Sequence, residues 1–88
     1  MTVFDTITSL DPAGVIDNAK QFFATRVPQY GAFPEKEGPG HVILRGQGGE
    51  EIVIAAVASE GGSKVRGSSI LFGPQVKRFF TTLPRAAA

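Results

Sequence analysis

One imidazole is available to this chain, and it sits near two carboxylates: Glu35, Glu37 and His41 fall close together. A carboxylate–imidazole set is chemically suited to a divalent ion. The intervening Gly38-Pro39-Gly40 places the three on no common face of a regular element, so no metal site is assigned. His41 is also the only base for a serine nucleophile, because cysteine is absent. Ser9, Ser59, Ser63, Ser68 and Ser69 stand in no Gly-x-Ser-x-Gly elbow. Ser68 or Ser69 could lie across a sheet from His41, but a lone histidine opening an exposed strand reads as structural or solvated. Glu50 and Glu51 are adjacent, so in a strand they point to opposite faces and read as charges closing a turn. No catalytic residue, metal ligand or cofactor is predicted, and the chain is read as a non-enzyme.

Phosphate chemistry has two candidate sites. Gly46, Gly48 and Gly49 lack the Gly-Lys-Ser/Thr that opens the helix of a phosphate loop, and here they join two predicted strands. The start of the second predicted helix at Gly73, with Lys77 and Arg78 a turn on, is the better anion site, although its features are those of an ordinary helix start.

Charge is unevenly spread. Residues 1–61 hold four cations against eight acids, a net −4, whereas residues 62–88 hold five cations and no acid, a net +5. Lys64, Arg66, Lys77, Arg78 and Arg85 could therefore meet an anionic partner, whether nucleic acid or an acidic membrane surface. The aromatic interleaving of a nucleic-acid platform is missing, since Phe72, Phe79 and Phe80 fall where the core should be.

These residues must be positioned by a small frame. At 88 residues the chain makes one domain, and 42% hydrophobic against 19% charged residues is too apolar for disorder. Without cysteine there is no disulfide or thiolate metal staple, and self-assembly or docking on a partner is the expected extra source of stability. Met1 to Leu10 carries Asp5 and no basic residue, unlike a secretory leader. The longest apolar run, Ile52 to Ala58, is far short of the ~20 residues that span a bilayer. A soluble, cytoplasmic protein is expected.

A helix is predicted from about Pro12 to Val27. Asp11 caps it, Pro12 takes its first position, and Val15, Ile16, Ala19, Phe22, Phe23 and Val27 form one apolar stripe. Residues 28–40 are rich in Pro and Gly and read as a connection pinned by Tyr30 and Phe33, with room for a short extended segment in its first half. Three strands follow: His41 to Arg45, Glu51 to Ser59, and Lys64 to Phe72, joined by glycine turns at 46–49 and 61–62. The second is apolar on both faces and reads as the middle strand, or one partly covered on both sides. A second helix starts at Gly73-Pro74, buries Val76, Phe79, Phe80 and Leu83, and stops at Pro84. Residues 85–88 are a tail. Residues 1–10 fit either an arm or an edge strand, and Val3, Phe4, Ile7 and Leu10 also share one helical face. The predicted fold is α+β: three antiparallel strands, or four with the first segment, under two helices on one face.

The stretch from Lys64 to Leu83 runs through a strand ending in Ile70-Leu71-Phe72, a Gly-Pro break and a helix closed by Leu83-Pro84. It resembles half of the helix-grip (START-like) or TATA-binding-protein-like folds, where a curved antiparallel sheet wraps a C-terminal helix. Full helix-grip domains are longer and enclose a ligand cavity. The resemblance implies a small-ligand pocket between sheet and helix, bordered by Ile54, Val65, Leu71 and Phe80. The function expected first is a non-catalytic protein-interaction module, an accessory or scaffolding subunit that uses the apolar Val3, Phe4, Ile7 and Leu10. Ligand binding and anionic-surface binding are the alternatives.

Overall fold

The computed structural model describes residues 2–25, 32–46, 49–70 and 73–85. The chain runs β1 (Thr2–Thr8), α1 (Pro12–Thr25), β2 (Ala32–Gly38), β3 (His41–Gly46), β4 (Glu51–Ser59), β5 (Gly62–Ser69) and α2 (Gly73–Thr82). All strands pair antiparallel in one sheet of order β1-β5-β4-β3-β2. The α+β class holds, but the sheet has five strands, not three or four.

The strand missed by sequence reasoning is β2. Its sequence, Ala-Phe-Pro-Glu-Lys-Glu-Gly, has the composition of a connection. It pairs with β3 because it lies at the sheet edge, where a proline lacking its N–H costs no ladder bond, and because a bulge between Pro34 and Lys36 absorbs the irregularity. Residues 2–8 form the opposite edge strand in unbroken register with β5, from Thr2↔Ser69 to Thr8↔Ser63. The doubly apolar segment 51–59 is the central strand. β5 ends at Ser69, earlier than the predicted Phe72; Leu71 and Phe72 lie outside the described residues, as do Arg26, Val27 and Tyr30.

Local signals place both helices. Asp11 caps α1 through its side chain, which accepts from the Gly14 N–H at 2.8 Å. At the end of α2, Thr81 and Thr82 donate their hydroxyls back to the Arg78 and Phe79 carbonyls, both at 2.6 Å. α1 packs against β2, β3 and β4, and α2 against β1 and β5. Their stripes meet over the sheet: Phe79 lies with its ring centroid 5.6 Å from Phe22 and 5.7 Å from Phe23. Beneath them, Val42, Leu44, Ile52, Ile54, Ala56 and Val65 are buried. Both helices therefore cover the same face, and among the described residues the other face carries no helix.

Candidate functional site

Strand alternation decides what the uncovered face presents. Residues directly opposite across a ladder share a face. One row runs Asp5, Arg66, Ala55, His41; a second runs Val3, Ser68, Val53, Ile43; a third runs Ile7, Lys64, Val57. Val3, Ile7 and Val57 are large apolar side chains left 49%, 58% and 67% exposed. A half-open groove of about 740 Å³ lies across β1, β5 and β4, lined by Asp5, Thr6, Ile7, Ala55, Val57, Lys64, Val65 and Arg66. Its apolar part is Ile7, Ala55 and Val57.

Two cations border the groove and differ in state. Arg66 donates from Nε to Asp5 Oδ1 at 2.9 Å, and this bond raises the guanidinium pKa further above its usual range. Among the described residues no carboxylate pairs with Lys64. The groove thus offers an apolar floor, a neutralised ion pair and one solvated ammonium group.

The structure divides the four apolar N-terminal residues. Val3 and Ile7 lie on the open face, whereas Phe4 and Leu10 pack against the core on the helix side. The basic residues are divided too. Lys64 and Arg66 stand on the open face; Lys77 and Arg78 are on α2, with Lys77 Nζ 5.6 Å from the centroid of the Phe4 ring. Arg85 forms an isolated backbone bridge to Thr8 at the sheet edge. The five cations share no single surface.

The chemistry-bearing set near His41 is dispersed. Glu35 accepts two bonds from Arg45, at 2.8 and 3.1 Å, and this charged partner lowers its pKa. Glu37 accepts from Lys20 of α1 at 2.9 Å, which raises the lysine pKa. A Cβ placed on Gly38 would fall 2.6 Å from His41 Cε1, so the imidazole lies directly over that glycine. Among the described residues no three His, Asp or Glu side chains are grouped to hold a metal. Ser68 is two strands from β3, about 10 Å across the sheet. Ser69 points to the covered side and donates to the Glu51 carbonyl at 3.0 Å. Neither is placed to exchange a proton with His41.

The pocket implied between sheet and second helix falls in a filled region. Ile54 and Val65 are buried, and a Cβ on Gly67 would meet Val76, Ile54 and Phe80 at 2.6 to 3.2 Å. Leu71 lies outside the described residues. No helix among the described residues is long and apolar enough to cross a membrane. Sequence reasoning missed Val57 and Ala55 as surface residues. The signal was the second apolar face of β4, which was read as that of a middle strand or of one partly covered on both sides. Comparison with family models, curated proteins and solved structures gives no match for this chain.

Proposed function

We propose that the protein is a non-catalytic interaction module that docks a protein partner on the open face of its sheet. The observation that carries this reading is the placement of Val3, Ile7 and Val57, exposed together on the one face that neither helix covers. Clustered exposed apolar groups rimmed by charge are the usual mark of an association surface. The unpaired ammonium of Lys64 beside that floor suits a partner segment in which apolar side chains flank a carboxylate. A broad polyanion is less well matched, because the remaining cations are on α2 or the sheet edge.

The test compares baits. Wild-type protein, Val57→Asp and Arg78→Glu would each be immobilised and exposed to lysate of the source cell. A partner retained by the wild type and by Arg78→Glu, but lost by Val57→Asp, supports the open face. Hydrogen-exchange protection of residues 3–7 and 53–57 in the recovered complex would then map the contact. Equal retention by all three baits, or protection confined to the helices, overturns the reading.

A further inference from the structure

The two edges of the sheet are built differently. β2 is guarded: Pro34 withholds a donor, a bulge follows it, and Glu35-Lys36-Glu37 set three charges in succession. β1, the other edge, has none of these devices. Thr-Val-Phe-Asp-Thr-Ile-Thr contains no Pro, Gly or Lys, its ladder with β5 has no bulge, and its one charge is already paired with Arg66. Among the described residues the outer side of β1 meets no strand beyond the Thr8–Arg85 bridge, and such an edge of β-branched and aromatic residues is a template for another strand.

The chain itself shows that this edge accepts pairing. Thr8 forms an antiparallel bridge with Arg85, flanked by the Ser9 N–H donating to the Pro84 carbonyl at 3.3 Å. That bond fixes the phase of the strand. Ser9 turns its backbone groups outward, so Ile7, Asp5 and Val3 do the same by alternation, while Thr8, Thr6 and Phe4 turn theirs toward β5.

We infer that β1 pairs antiparallel with β1 of a second copy across a two-fold axis, joining the two sheets into one of ten strands. A two-fold ladder keeps the covered and open faces continuous only when it centres on a residue. Centring on Asp5 sets two carboxylates directly opposite and extends to Thr8, which Arg85 already holds. Centring on Val3 shortens the ladder. Centring on Phe4 matches residues 2–6 with their copies and stops short of Thr8. In that register Val3 and Asp5 of opposite copies exchange backbone hydrogen bonds through the groups that face outward. The two Phe4 residues then form the closer, non-hydrogen-bonded pair on the covered face, where each ring is only half-buried. This inference concerns the sheet edge and does not rest on the docking face.

Sedimentation equilibrium across a wide concentration range tests it. The wild type is expected to approach twice its 9.3 kDa chain mass. Val3→Glu places a new carboxylate opposite Asp5 of the second copy, twice per dimer, and is expected to weaken association at least ~10-fold. Val3→Lys places an ammonium group there and is expected to hold or tighten it. Val3 is 49% exposed on the open face, so neither change enters the core. Amide exchange offers a check free of mutation: protection at Val3 and Asp5 should rise with protein concentration. A wild type monomeric at every concentration, a dimer indifferent to the sign of the charge at position 3, or concentration-independent exchange at these amides each overturns the inference.

Discussion

The Thr8 hydroxyl donates to the carbonyl of Pro84 at 2.6 Å and accepts from the Leu10 N–H at 3.3 Å, tying the first strand to the segment after the last helix. Thr8 is fully buried, as is Ser63, which donates to the Leu10 carbonyl at 2.8 Å. The polar groups of this corner therefore satisfy one another, away from water.

Replacing Thr8 by Val keeps the shape and removes the hydroxyl. The Pro84 carbonyl retains the Ser9 N–H, but the Leu10 N–H loses its partner. The expected cost is about 1–2 kcal/mol, with Thr8→Ser costing less because it keeps the donor. Urea unfolding midpoints of the two variants check the order. A Thr8→Ser variant that loses as much as Thr8→Val would overturn this order and give the methyl group a contribution equal to that of the hydroxyl.

Gly67 shows how closely α2 approaches the sheet. A Cβ there would lie 2.6 Å from Val76 Cγ1 and 3.1 Å from Ile54 Cδ1, both belonging to buried residues that cannot retreat into solvent. Gly67→Ala is expected to destabilise by about 1–3 kcal/mol, although alanine at an unstrained strand position would ordinarily help. Combining it with Val76→Ala should cost less than the sum of the two single changes, because the clash is then relieved. A strictly additive double mutant would count against this contact.

How much of this was legible in the sequence depended on whether local and tertiary signals agreed. α1 was readable because Asp11, Pro12 and the apolar stripe all mark the same segment. β2 was not, because Pro34 and its charges are forbidden only inside a sheet, and the edge position that permits them is a tertiary fact. The open face was legible only in part, for a related reason. The two apolar sides of β4 are consistent with burial on both, and only the location of α1 and α2 on the same side shows that Val57 stays exposed. Val3 and Ile7 were identified as a surface, but their phase is that of a strand. Phe4, between them, therefore turns to the core.

β2 is held partly by charge, and its contribution should depend on pH. The Arg45 guanidinium keeps the Glu35 pKa below that of a free glutamate, about 4.3. A depressed folded-state pKa stabilises above the unfolded value, and that stabilisation is lost as pH falls through the folded one. The wild type should thus lose stability more steeply below about pH 4 than Glu35→Gln, which has no proton to bind there. At the alkaline end the sign reverses. The bond to Glu37 raises the Lys20 pKa, so its contribution is complete below about 10.4 and fades as pH climbs past the folded value. Both pairs are exposed, so the differences should be small and shrink in 1 M salt. Unfolding midpoints measured from pH 3 to 11 provide the check.

The open face predicts a separation between folding and binding that the core does not allow. Val57 is 67% exposed and lies opposite Lys64 across the β4–β5 ladder. Val57→Asp therefore buries no charge and gains an opposite-sign cross-strand neighbour, so stability should stay within about 0.5 kcal/mol of wild type. Phe79→Ala, by contrast, empties the contact between both helices and should cost about 3–5 kcal/mol. If the open face is the docking surface, Val57→Asp loses the partner while it unfolds like wild type. Thermal unfolding and partner titration on the same samples measure both quantities. A Val57→Asp variant that keeps full affinity would remove the groove from the docking surface.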